Sequence, residues 1–122
     1  MTEQDAERIV RELAARERPE DVRKVDRQFG ERLERLEKEG RAPREMLDQA
    51  RVLWKMLAAP DEVVSFGAKA MIMGALGYLV SPLDVIPDGL GYAGHLDDAM
   101  VIRFVYGRLG PEIEAFRAHS KG

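Results

Sequence analysis

YLVSPLDVIPDGLGYAGHLDD, residues 78–98, follows the most apolar run of the chain and carries two prolines. Proline lacks a backbone N–H and clashes with the preceding helical turn, so Pro82 and Pro87 predict a sharp connection between two helices. The same stretch concentrates carboxylates, which either cap and organise this connection or bind a cation. These carboxylates belong to Asp84, Asp88, Asp97 and Asp98.

Upstream of this stretch, residues 61–80 predict a helix that is apolar on nearly every side, with Lys69 as the one charge within residues 63–80. Such a helix either lies at the centre of a bundle or contacts lipid. Its uninterrupted apolar part, residues 70–80, is far shorter than the roughly 20 residues that span a bilayer. We therefore predict a central helix, with Gly74 at a close contact between helices.

The other helices are predicted from apolar residues at helical spacing, with prolines and acids near their first turns. Thr2 and Asp5 resemble a capping pair for the first helix, and Gly40 is a natural stop for the second. No segment shows sustained strand alternation. The fold class is therefore all-α, a compact single-domain bundle of about five to six helices around the apolar helix near 61–80. The predicted ranges of the others are about 3–17, 20–39, 44–58 and 96–106, with a terminal helix from Pro111.

The composition limits the domain organisation and the function. A chain of 122 residues suits one domain, in which residues 1–59 form charged amphipathic helices and residues 60–122 form an apolar part. The net charge of −3, without a long block of one sign, argues against nucleic-acid binding. The absence of cysteine excludes thiol chemistry and disulfides. The charged N-terminus lacks the apolar core of a signal peptide, so we expect a cytoplasmic location.

The spacing of Tyr78, Ser81-Pro82-x-Asp84-x-Ile86-Pro87-Asp88 and Leu96-Asp97-Asp98 resembles the signature of the YkvA-like family over about residues 66–103. This is a bacterial domain of unknown function with distant relatives in eukaryotes. The resemblance implies a compact helical domain, often described as membrane-associated, and no established activity, substrate or cofactor. Residues 89–92 are richer in glycine than the bulky apolar stretch expected there, which disfavours a membrane-inserting loop. The motif residues, structural or part of a site, are Tyr78, Pro82, Asp84, Pro87, Asp88, Asp97 and Asp98.

Two interpretations of the aspartates stay open. As caps and turn formers they accept backbone N–H bonds, each worth about 1 kcal/mol. As a cluster they would offer Mg²⁺ or Ca²⁺ the oxygen ligands that these ions prefer, with Asp84, Asp88, Asp97 and Asp98 as the metal ligands. Capping is the favoured interpretation, and no cofactor is expected. A proton-transfer pair of His95 with Asp97 or Asp98 is conceivable, but no residue is predicted to be catalytic.

Three functions follow from these patterns. The first is a non-catalytic interaction or self-association module with a protein partner and no nucleic acid. The second is a peripheral membrane protein that contacts the membrane surface, with the periphery of the inner membrane as its location. The third is a carboxylate-metal-dependent enzyme. We rank them in this order because Lys69 alone in the apolar helix and the acidic balance after residue 60 disfavour attraction to anionic lipid.

Overall fold

The computed structural model of the protein describes residues 1–80 and 94–121. Within these residues the chain forms six α-helices, a short 3-10 turn at Pro19–Asp21 and no strand, which confirms the predicted all-α fold. The helices are α1 (Glu3–Ala14), α2 (Val22–Glu39), α3 (Arg44–Met56), α4 (Phe66–Val80), α5 (His95–Arg108) and α6 (Gly110–Lys121).

The predicted start of the first helix and the predicted end of the second are confirmed, whereas α1 ends at Ala14 and not near residue 17. The Thr2 hydroxyl accepts a hydrogen bond from the Asp5 N–H at 3.2 Å, and the Asp5 carboxylate accepts one from the Thr2 N–H at 2.9 Å. This reciprocal pair satisfies two N–H groups that a helix start leaves without partners. Gly40 ends α2 with φ +68°, a left-handed conformation that glycine adopts without steric cost.

The start of the apolar helix is a correction to the prediction, because α4 begins at Phe66 and not near residue 61. The Pro60 carbonyl accepts hydrogen bonds from the N–H groups of Val63 and Val64, which closes a separate turn over residues 60–64. The Ser65 hydroxyl then accepts a bond from the Ala68 N–H at 3.2 Å, as a helix-capping serine does. Apolar content alone therefore overestimated the length of the helix by about one turn.

The helix α4 lies at the centre of the bundle, as predicted, and contacts α1, α2, α3 and α5. One hydrophobic core includes residues from both halves of the sequence. Gly74 is confirmed at a close contact, because a Cβ atom placed on it would lie 3.2 Å from the backbone nitrogen of Ala14 and 3.3 Å from the Val10 carbonyl oxygen. At Gly77, on the same helix, no atom of the described residues lies within 4 Å of the equivalent position. No helix in the described part of the chain is long and apolar enough to cross a bilayer.

The last two helices run longer than the sequence predicts. Gly107 lies inside α5, although a glycine there favours a break in the helix, and α6 already begins at Gly110. A glycine within a helix costs only about 1 kcal/mol relative to alanine, and packing on neighbouring residues easily offsets that cost. The buried residues Val105, Leu109 and Ile113 supply such packing on both sides of the junction.

Candidate functional site

The motif residues that the structure describes are Tyr78, Asp97 and Asp98. The other four motif residues lie outside the described residues. These four are Pro82, Asp84, Pro87 and Asp88. Whether Asp84 and Asp88 cap turns or bind a cation is therefore also outside what the structure describes. Within the described residues, no group of three or more His, Cys, Asp or Glu side chains could hold a metal ion.

Tyr78 and the two aspartates are buried at one end of the bundle. Tyr78, near the end of α4, has no exposed surface, and Asp97 and Asp98, in the first turn of α5, are 4% and 0% exposed. Burial raises the pKa of the Tyr78 phenol, and the negative charges of Asp97 and Asp98 raise it further. The phenol is therefore kept protonated, as a hydrogen-bond donor beside two carboxylates.

The two aspartates begin α5 as the sequence predicts, although their burial was not predicted. Their backbone N–H groups donate to the Gly94 carbonyl at 3.1 and 3.2 Å. Gly94 has φ +75°, which favours glycine at this position. The positive end of the α5 dipole stabilises negative charge in the first turn, which offsets part of the cost of burying two carboxylates.

His95 connects this buried group with the surface. Its Nδ1 atom lies 3.4 Å from an Asp98 carboxylate oxygen, and its Nε2 atom lies 4.0 Å from a carboxylate oxygen of Glu39, the last residue of α2. Of the two pairings considered from the sequence, the structure shows that of His95 with Asp98. An imidazole between two carboxylates can relay a proton, although its first contact, Asp98, is inaccessible to a substrate.

Two polar contacts near α4 were missed by the sequence interpretation. The Arg32 guanidinium donates to the Leu79 carbonyl at 3.1 Å, so α2 caps the last turn of α4 across 47 residues. The Lys69 ammonium is buried, donates to the Ala59 carbonyl and pairs with the Asp61 carboxylate at 2.8 Å. A single charge in an otherwise apolar helix was the only signal for this second contact, which ties the start of α4 to the turn before it.

A second candidate site is a concave surface between α1 and α5, here called the α1/α5 groove. It consists of two cavities of about 470 and 210 Å³ that share Phe104 and Arg108 in their lining. Helix α4 contributes Met71 to its floor. The remaining lining residues are Glu3, Glu7, Val10, Arg11 and Ala14 from α1, and Met100, Arg103 and Gly107 from α5.

An apolar row on α5 borders this groove and is here called the α5 stripe: Leu96, Met100 and Phe104. Residues four apart lie on the same face of a helix, so the three side chains follow one another along the surface. Leu96 is 74% exposed, and the other two are partly buried. The opposite face of α5 packs into the core through Val101 and Val105.

Charged side chains line the groove, and some of them form ion pairs. Glu7 accepts hydrogen bonds from Arg11 at 2.6 Å and from Arg108 at 3.5 Å, so two arginines share this carboxylate. The Arg108 guanidinium also lies 5.2 Å from the centre of the Phe104 ring, a favourable cation–π distance. The lining carries three arginines and two glutamates and is locally positive, whereas the whole chain has a net charge of −3.

Residues 68–104 match the model of a family described as "Protein of unknown function (DUF1232)". This match confirms the predicted family resemblance over most of α4 and α5. The chain is also similar to an E3 ubiquitin-protein ligase, RNF170, of Danio rerio, with 40% identity over 75 residues. That similarity covers 52% of this chain and 28% of the ligase. No solved structure matches the chain.

Proposed function

We propose that this chain is a non-catalytic interaction module that binds a helical segment of a partner protein on the α5 stripe and in the α1/α5 groove. The observation that carries the proposal is the exposure of Leu96, whose side chain is 74% accessible. The α5 stripe runs from Leu96 through Met100, which lines the groove. A single exposed leucine is ordinary in a folded protein. An apolar row with one residue per helical turn beside a concave surface is the pattern to which amphipathic helices dock.

The energetics of Leu96 support an unfilled binding surface. Full burial of a leucine side chain is worth about 1.5–3 kcal/mol, and Leu96 forgoes most of this in the isolated chain. Met100 and Phe104 are themselves only partly covered. Methionine is unbranched and flexible, so Met71 and Met100 allow the groove to adjust to the side chains of a partner.

The burial of the motif residues supports a structural role for them. A catalytic group must reach its substrate, whereas Tyr78 and Asp98 have no exposed surface and Asp97 has 4%. The two aspartates lie in the first turn of α5, where negative charge stabilises a helix. These contacts favour an organising role for the described part of the motif.

The similarity to RNF170 also fits a module. This chain spans about 28% of that protein's length, so the similar region is one part of a much longer polypeptide there. The ligase activity is that of the relative, as its name states, and we do not assign it to this chain. We transfer to this chain only the idea that such a domain works in combination with other protein segments.

A peptide-display experiment tests the proposal. A library of amphipathic helical peptides is selected against the purified chain, and the selected peptides are measured by calorimetry. We expect saturable binding that Leu96→Glu abolishes and Ala118→Glu leaves intact. Ala118 is exposed on α6, so its substitution adds the same charge at a distant surface. Failure to select any peptide, or equal binding to Leu96→Glu, would contradict the proposal.

A further inference from the structure

We infer that the α1/α5 groove takes an acidic amphipathic helix of about three turns, an inference that rests on the proposed function and specifies the chemistry of the partner. The length follows from the surface itself. From Leu96 to Arg108 the helix α5 advances by 12 residues, or about 18 Å at 1.5 Å per residue. A partner helix of about 12 residues lying along α5 covers the same distance.

The charge of the partner follows from the arginines around the groove. Arg103 and Arg108 flank the α5 stripe on its own helix, and Arg11 faces them from α1. The Glu7 carboxylate is already shared by Arg11 and Arg108. Carboxylates along the edges of a docked helix would pair with these guanidinium groups, which can hold a carboxylate through two parallel hydrogen bonds. Lysines at the same positions would face like charge.

A second copy of the chain fits this surface poorly. Among the described residues, Leu96 is the one large hydrophobic side chain that is exposed, so a second copy offers the same stripe. In a two-fold symmetric contact each surface meets itself. Stripe against stripe with the two α5 helices parallel would bring Arg103 and Arg108 of both copies towards one another, and like charges across an interface disfavour association.

A membrane surface also fits poorly. The groove is concave. A lipid headgroup layer is flat on this scale and does not fill a cleft of about 470 Å³ between two helices. Helices that bind in the plane of a bilayer present a broad apolar face with basic flanks. The α5 stripe has only one apolar residue per turn.

Two synthetic peptides test the inference. Both form amphipathic helices of about 12 residues with the same leucine row, and they differ only in having glutamate or lysine along its edges. Binding to the full chain is measured by fluorescence anisotropy at low and near-physiological salt. We expect the glutamate peptide to bind about tenfold more tightly, with a difference that shrinks as salt rises.

Charge reversal provides the matched controls. We expect Arg103→Glu to weaken the binding of the glutamate peptide by about fivefold, because a charge that attracts this peptide becomes one that repels it. The same substitution should strengthen the binding of the lysine peptide. Arg41→Glu makes the same change in charge at an exposed position between α2 and α3 and should leave both affinities within about twofold. Circular dichroism confirms that both variants remain folded.

The outcomes separate the two proposals. If neither peptide binds, docking of a helix in the groove fails, and the proposed function fails with it. If both peptides bind equally and Arg103→Glu has no effect, the groove binds helices but the acidic partner is wrong. If the chain dimerises with rising concentration and Leu96→Glu abolishes this, the occupant of the groove is a second copy and not an acidic helix. Flotation with phosphatidylglycerol-containing vesicles that Leu96→Glu abolishes would replace it by lipid.

Discussion

Gly74 and Gly77 form a natural pair for testing how closely α1 and α4 approach. Both lie in α4, three residues apart, and both become alanine in the proposed variants. A Cβ atom at Gly74 would lie 3.2 Å from the backbone nitrogen of Ala14 and 3.3 Å from the Val10 carbonyl oxygen, whereas at Gly77 nothing in residues 1–80 and 94–121 lies within 4 Å. Backbone atoms cannot rotate away as the end of a side chain can, so the helices must separate to admit the methyl group.

The magnitudes can be worked out from two opposing terms. Replacing glycine by alanine within a helix favours folding by up to about 1 kcal/mol, and Gly77→Ala should gain about half to all of that. At Gly74 the same gain is opposed by an overpacking cost of about 1–3 kcal/mol. The free energy of unfolding should therefore differ between the two variants by about 1–3 kcal/mol. Gly74→Leu should be the least stable of the three, because a larger side chain meets the same backbone.

Urea unfolding followed by the fluorescence of Trp54 provides the assay, because this single tryptophan packs against Phe29 in the native state. The slope of the unfolding free energy with urea should stay constant among the variants. For a chain of this size, each 1 kcal/mol corresponds to about 3–5 °C in melting temperature. Equal stabilisation by Gly74→Ala and Gly77→Ala would refute the close approach of α1 and α4.

Three further perturbations follow from the polar contacts. Thr2→Ala should lower the unfolding free energy by about 1 kcal/mol in urea titrations. Hydrogen bonds with the Thr2 backbone and side chain lower the pKa of Asp5, so the stabilisation by the charged Asp5 carboxylate is present at neutral pH and should fade as the pH falls below about 4. Lys69→Met should cost about 1–3 kcal/mol by the same measurement, because the buried Ala59 carbonyl loses its donor, and a gain in stability would contradict the assignment. Because the pKa of Tyr78 is raised, the unfolded state loses the phenol proton first, and the native state should lose stability above about pH 10. Absorbance titration should show at least one tyrosine that stays protonated until the chain unfolds, and Tyr78→Phe should remove one tyrosine from that late step.

The helices could be predicted from the sequence because their signals are local. The capping pair of Thr2 and Asp5 and the left-handed Gly40 each depend on a few neighbouring residues. The close contact at Gly74 could be predicted because a small residue in a bulky apolar helix lets the backbone of a second helix approach. The start of α4 was not predicted, because Val63 and Val64 fit an apolar helix as well as they fit the turn that the Pro60 carbonyl closes.

The candidate site could be predicted only in part, because burial depends on distant residues. The sequence placed Asp97 and Asp98 in the first turn of a helix, but no local pattern indicated that both would be buried beside Tyr78. The contact between Arg32 and the Leu79 carbonyl joins residues 47 apart and follows no local pattern either. The α5 stripe was hidden for a different reason: a helix with apolar residues on opposite faces has no periodicity that indicates which face is buried.

The buried aspartates also explain why the α5 stripe faces outward. Successive residues in an α-helix are rotated by about 100°, so three consecutive residues cannot share one face. Asp97 and Asp98 are both buried whereas Leu96 before them is exposed, and Met100 and Phe104 follow Leu96 at intervals of four. The burial of Asp97 and Asp98 thus agrees with that of Val101 and Val105 on one rotation of α5 about its axis. Under the proposed function, the described part of the family motif supports binding without contacting a partner, because Asp97 and Asp98 lie on the buried side of α5 and the α5 stripe lies towards its exposed side.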